Sequence, residues 1–119
     1  MSLIGTAVYS KTPFGIDAIW CHTSDDVVTS GTGKGSKKKD INSTKPFEGD
    51  YEITYFDNNA EPLGTYQLTI RYDQNCYHLK WIEDMIVVYF GIGIELDNQL
   101  HFGYREVITQ KTLHIKTDI

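Results

Sequence analysis

Residues 64–72, GTYQLTIRY, alternate without a break: Tyr66, Leu68, Ile70 and Tyr72 fall on one side, Thr65, Gln67, Thr69 and Arg71 on the other. Successive side chains point to opposite faces in extended backbone, so this segment reads as a strand with one buried face. The same grammar runs through most of the chain. CYHLKWIE sets Tyr77, Leu79 and Trp81 against His78 and Lys80, and DYEITYF lines up Tyr51, Ile53 and Tyr55. GIDAIWCH does so with Ile16, Ala18 and Trp20, and QLHFGYRE with Leu100, Phe102 and Tyr104. MIVVYFGIGIE is apolar on both faces. Short polar groups such as Asp73-Gln74-Asn75 and Leu96-Asp97-Asn98 separate these runs as turns. No window long enough for a helix carries i, i+3, i+4 apolar spacing; a brief helical turn in the lysine-rich stretch or around Asn58 is the most the pattern allows.

Two stretches about 60 residues apart carry the same landmarks in the same order. Each opens on an aliphatic residue and Gly-Thr (Gly5-Thr6, Gly64-Thr65), ends its next strand near a tryptophan (Trp20, Trp81), and finishes on G-x-G (Gly31/Gly33, Gly91/Gly93). The spacing predicts two four-stranded meanders with strands near 3–10, 15–22, 25–33 and 49–57, then 63–72, 76–83, 85–95 and 99–108. A further short strand is expected in TLHIKTD. The fold expected is all-β: one domain spanning residues 1–119, an antiparallel up-and-down barrel of about eight strands built from two repeats, about 3–57 and 63–108. A two-sheet β-sandwich is the alternative.

TSGTGKGSKKKD, beginning at Thr29, has the look of a phosphate cradle and fails its chemistry. A P-loop needs GK followed by a Ser or Thr hydroxyl to ligate magnesium, and Lys34 is followed by Gly35. Strict alternation also misses G-x-G-x-x-G, and no helical pattern follows. Gly31 and Gly33 read instead as the end of a strand, where absent side chains admit a bend or a close neighbour. The polar run beyond them predicts a mobile lysine-rich loop at about 34–46. Lys34, Lys37, Lys38 and Lys39 are its weak candidates for contact with an anion.

A net charge of −5 argues against nucleic acid as the main partner, because neutralising phosphates requires a basic excess. Apolar runs stop well short of the roughly 20 residues that a membrane span requires. MSLIGTAVYS lacks a basic leader and a sustained apolar stretch, so a cytoplasmic protein is expected, with a signal peptide already removed as the open alternative. Cys21 and Cys76 have no zinc-knuckle or redox spacing and read as reduced, small buried hydrophobes. His22, His78, His101 and His114 are scattered singly, so neither metal nor cofactor is expected.

The residues left to carry function are aromatic. Trp20, Tyr51, Tyr55, Tyr66, Tyr77, Trp81, Tyr89 and Tyr104 fall mostly on the inward phase. A dry core suits several converging tyrosines poorly, since each buried hydroxyl requires a partner. They are therefore the candidate ligand-binding residues. Arg105, flanked by aromatic residues near a strand end, is a candidate clamp for a carboxylate, or a partner for Glu106. The function expected is non-enzymatic binding of a small, partly apolar ligand inside the barrel. The alternative is an interaction module or homo-oligomer that covers the apolar outer faces of Ile86, Val88, Phe90, Ile92 and Ile94.

The run GDYEITYFDNN, GTYQLTI, CYHLKW and VYFGIGIELDNQL resembles uncharacterised bacterial β-barrel domains with repeating G-x-Y-x-[IV] strands, a strand-end tryptophan and a Y-x-G-x-G strand. GTAVYSKTPFGIDAIW resembles another strand pair of those families. The resemblance covers most of the chain outside the lysine stretch and implies a fold similar to the calycin group of lipocalins, fatty-acid-binding proteins and avidins. Its motifs are architectural. It carries over no catalytic residue, and the polar contacts of an avidin-like biotin site have no counterpart here.

Overall fold

A computed structural model describes residues 3–39 and 44–107. It contains eight strands: β1 (Ile4–Lys11), β2 (Gly15–Ser24), β3 (Val27–Lys39), β4 (Gly49–Asp57), β5 (Pro62–Asp73), β6 (Cys76–Glu83), β7 (Ile86–Leu96) and β8 (Gln99–Glu106). Each pairs antiparallel with its sequence neighbour, and β1 also pairs with β8, from Ile4↔Arg105 to Ser10↔Gln99. That last ladder decides between the two expected architectures: the sheet closes into an up-and-down barrel, consistent with a calycin-like fold. The strand expected in TLHIKTD, together with His114, lies outside the described residues. Among the described residues no helix is long and apolar enough to cross a membrane.

Four hairpins turn on two residues, both with positive φ: Asp25-Asp26, Gln74-Asn75, Asp84-Met85 and Asp97-Asn98, all between 52° and 68°. Two left-handed residues in succession twist the chain in the sense that matches the flanking strands. Asp and Asn tolerate that region better than most side chains, which explains their concentration at the turns.

The two ends of the barrel differ. At the end formed by the β1–β2, β3–β4, β5–β6 and β7–β8 connections, Ile16, Ile53, Leu68, Ile70, Leu79 and Leu100 are at most 1 % exposed and fill the interior. Phe47, supplied by the β3–β4 connection, stoppers this end. Its ring meets Tyr77 edge-on at 6.0 Å, and its carbonyl accepts the Tyr51 hydroxyl at 2.9 Å. Burying a phenylalanine contributes roughly 2–3 kcal/mol, enough to hold the connection over the barrel. The opposite end, formed by the β2–β3, β4–β5 and β6–β7 turns, is the open one.

Two sequence expectations change here. The lysine-rich stretch is not a loop from residue 34: β3 continues to Lys39, paired with β2 as far as Ser36 and with β4 as far as Lys39. Composition suggested a solvated loop, but GKGSK also alternates. Gly35 turns inward, where a side chain would meet Ile16 and Ile53, and Lys34, Ser36 and Lys38 turn out. The part of the expected loop at 40–43 lies outside the described residues. Cys21 and Cys76, expected to be buried, are free thiols, one exposed and one half-buried, because each takes the outward phase of its strand.

Gly31 shows what the interior demands. A Cβ there would overlap the Phe56 carbonyl oxygen and lie 2.8 Å from the Trp20 ring, and neither neighbour is free to retreat. Gly103, on the outer face, has nothing nearer than the Gly5 carbonyl at 3.7 Å. Gly31→Ala is expected to lower stability by about 1–3 kcal/mol through overpacking. Gly103→Ala should be neutral or stabilising by up to about 1 kcal/mol. Urea unfolding of both variants checks this; equal effects would refute the packing account.

Candidate functional site

The open half of the barrel contains a cavity of about 110 Å³. Strand periodicity brings its walls together. Trp20 and His22 share the inward phase of β2, Trp81 comes from β6, Tyr89 from β7, and Phe102 and Tyr104 from β8. Tyr55 on β4 and Tyr66 on β5 complete the ring, Ala7 of β1 leaves room within it, and Leu63 stands at the rim. Around Tyr89 the aromatic walls meet at steep angles: Tyr66 and Tyr89 at 78°, Trp81 and Tyr89 at 90°, Tyr89 and Tyr104 at 90°. Such edge-to-face contacts suit the ring quadrupoles and make a box rather than a stack.

Both indole N–H groups are committed elsewhere. Trp20 Nε1 donates to the Thr32 carbonyl at 2.8 Å, and Trp81 Nε1 donates to the Tyr55 hydroxyl oxygen at 2.7 Å. The Tyr55 and Tyr9 hydroxyls are bonded at 2.6 Å. Trp81, Tyr55 and Tyr9 thus form a hydrogen-bonded knot inside the barrel. His22 stacks on Trp20 with centroids 5.1 Å apart, and its Nδ1 lies 3.2 Å from the Tyr104 hydroxyl.

Burial controls the charge state. Loss of water raises the Tyr9, Tyr55 and Tyr104 phenols well above their usual range, neighbouring phenols adding to the effect. It pushes Tyr66 up to about 12, and raises Tyr89 with help from Glu106. Burial lowers His22, so its imidazole is neutral at physiological pH. The cavity wall therefore presents rings, hydroxyls and one neutral imidazole, with no ionised group.

Of the residues singled out in the sequence, Trp20, Tyr55, Tyr66, Trp81, Tyr89 and Tyr104 gather at this cavity. Tyr51 and Tyr77 do not: they pack beside the Phe47 stopper, with the Tyr77 hydroxyl donating to Glu95 Oε1 at 2.8 Å. Arg105 lies outside the barrel. Its guanidinium sits 6.0 Å over the Phe90 ring, and Nη1 donates to the Glu106 carbonyl. The parity of β8 explains this, since Phe102 and Tyr104 point inward and Arg105 between strand neighbours on the outside cannot. Lys34 and Lys38 face solvent near Asp17 and Glu52, each pair at 3.7 Å. Lys37 lies 5.9 Å over the Tyr51 ring and, with Lys38, borders a mostly polar concavity of about 430 Å³ at the stoppered end. The side chain of Lys39 lies outside the described residues.

His22, Phe102, Ala7 and Tyr9 were missed as a set, although His22 shares the phase of Trp20 and Tyr9 that of Ala7 in the sequence itself. Among the described residues no three His, Cys, Asp or Glu side chains gather to hold a metal ion. Comparison with protein-family models, curated proteins and solved structures finds no match.

The raised phenols make an alkaline prediction. Unfolded tyrosines titrate near pH 10 and the buried ones hold their protons beyond it. Their contribution to stability is thus fully present below about pH 10 and is lost as pH rises through the folded values. The loss is up to about 1.4 kcal/mol per pH unit for a fully buried phenol such as Tyr9. In an ultraviolet titration, tyrosinate absorbance should appear mainly in one cooperative step together with unfolding. Ionisation of all 8 tyrosines near pH 10 with the fold intact would contradict the burial described.

Proposed function

We propose that this barrel binds a small, partly apolar molecule in its open-end cavity, without turning it over. One observation carries the reading: a cavity of about 110 Å³ is walled mainly by aromatic rings, with both indole N–H groups already bonded, in a barrel stoppered at the other end. Binding pockets are concave, mostly apolar and largely preformed, with few polar groups, and this cavity fits that description. A dry, apolar cavity of comparable size accepts a benzene-sized ring. The calycin-like architecture supports the reading at the level of fold. The affinity is set by size: at about 0.6 kcal/mol per atom, a seven-carbon ring compound binds with a Kd of roughly 0.5–1 mM.

Ligand-observed NMR with toluene tests it. Wild-type protein should give saturation transfer at millimolar concentration, and Ala7→Leu, which places three more carbons inside the ring of aromatic residues, should weaken binding by more than about tenfold. Toluene binding that Ala7→Leu leaves unchanged would remove the cavity from consideration.

A second reading, self-association, has its own observation. Ile19, Ile92, Ile94 and Leu96 are each more than half exposed. The register places Ile19, Val8, His101 and Ile94 in one row across β2, β1, β8 and β7. Such a row sets exposed aliphatic side chains on both sides of His101 on one side of the barrel, a surface suited to a second copy of the chain. Sedimentation velocity should then show a dimer that dissociates on dilution and is abolished by Ile92→Lys with Ile94→Lys; a monomer at all concentrations refutes this reading.

A further inference from the structure

The hydrogen-bonded knot under the cavity has one proton too many. Trp81 Nε1–H, Tyr9 O–H and Tyr55 O–H bring three donors to two hydrogen bonds, at 2.7 and 2.6 Å. Indole nitrogen can only donate, so its proton goes to the Tyr55 oxygen. The contact between the two hydroxyls spends one of their two protons. The other is left over, whichever way that contact is oriented.

The surroundings choose the orientation. If Tyr55 donated to Tyr9, the spare proton would sit on Tyr9, which is 0 % exposed, does not border the cavity, and has no acceptor but the Tyr55 oxygen among the described residues. If Tyr9 donates to Tyr55, the Tyr55 oxygen accepts two hydrogen bonds and its own proton is spare. Tyr55 does border the cavity. Only the second arrangement lets the last proton find a partner, and a buried donor without a partner is costly.

Charge narrows the ligand further. The wall carries no Lys, Arg, Asp or Glu, and Arg105, the nearest candidate to clamp an anion, lies outside the barrel. An ion brought into this cavity would lose its water without gaining a counter-charge. For an anion, Glu106 and Glu83, which act on Tyr89 from the rim, add repulsion. For a cation, the aromatic box and the two rim carboxylates are attractive, while the loss of its water and the outward-pointing end of the Tyr55 O–H dipole oppose it.

We propose that the cavity selects an uncharged, flat, ring-sized molecule bearing a hydrogen-bond acceptor, such as a carbonyl oxygen, that receives the Tyr55 hydroxyl proton. This rests on reading the cavity as a binding site and names the chemistry of its ligand. The polar demand comes from the protein: among the wall hydroxyls, that of Tyr104 already faces His22 Nδ1, and that of Tyr55 carries the spare proton, which asks for an acceptor atom at that edge of the ligand.

Four planar molecules of nearly the same shape test the proposal with the full chain: acetophenone, α-methylstyrene, benzoate and benzamidinium. Binding is followed by two-dimensional NMR, with the Trp81 indole N–H as the reporter, since its acceptor is the Tyr55 oxygen. Tyr55→Phe should weaken acetophenone by roughly fivefold or more and leave α-methylstyrene unchanged or tighter, because only the ketone loses a hydrogen bond. Benzoate and benzamidinium should bind at least about tenfold more weakly than acetophenone. A second measurement does not require the variant to fold: the carbonyl stretch of acetophenone bound to wild-type protein should lie below its frequency in alkane. Equal effects of Tyr55→Phe on ketone and alkene, an alkane-like carbonyl band, or tighter binding of either ion overturns the proposal while leaving the cavity a binding site. If none of the four, nor toluene, binds wild-type protein, the binding reading falls and this inference with it.

Discussion

The pairing of β1 with β8 is the constraint on which everything else rests. Once the sheet is closed, no strand has a free edge, and the interior has a width set by eight strands rather than by side chains. The inward residues must then fill a cylinder they did not choose. They fill one half with aliphatic side chains and Phe47 and line the other half with large rings. The cavity is a consequence: flat rings that meet at angles from 29° to 90° cannot tile a cylinder without leaving space between them.

Glycine and tryptophan share that space. On β3 the inward positions Gly31, Gly33 and Gly35 carry no side chain, and the neighbouring strands supply Trp20, Tyr55 and Ile16 to the room this leaves. On β7, Gly91 does the same beneath Trp81, whose ring lies 3.0 Å from where a Cβ would stand. A ring brought this close fixes the direction of its N–H. Trp20 is thereby turned to a β3 carbonyl, and Trp81 to Tyr55. Strand glycines therefore set the hydrogen bonding of the site at one remove, by deciding where the indoles lie.

Much of the site was legible because a strand has a period of two. Tyr55 follows Tyr51 and Ile53 on one face, and Trp20 follows Ile16 and Ala18, so inward residues could be read directly. The same parity, applied to Phe102 and Tyr104, already placed Arg105 outside; its aromatic neighbours suggested a clamp that the strand geometry forbids. The division of the tyrosines between the two ends was not legible. Tyr51 and Tyr55 share a face of β4, yet one supports the stopper and the other borders the cavity, because height along the barrel depends on register and on which connection folds inward. Phe47 stood next to a lysine-rich stretch whose composition resembled a loop, and only cross-strand pairing on both sides of β3 shows that the stretch is sheet.

By itself, the sequence determined an all-β chain, the faces of its strands, its turns, and a set of inward aromatic residues. Alternation and turn chemistry are local, and local physics suffices for them. Only the tertiary structure decided that the sheet closes, which end is stoppered, and which hydroxyls meet. Tyr9 and Tyr55 are 46 residues apart, and Trp81 is a further 26 from Tyr55. Their three protons and two hydrogen bonds can be counted only once closure has brought β1, β4 and β6 around one interior, because a hydrogen bond depends on distance in space and not on separation along the chain.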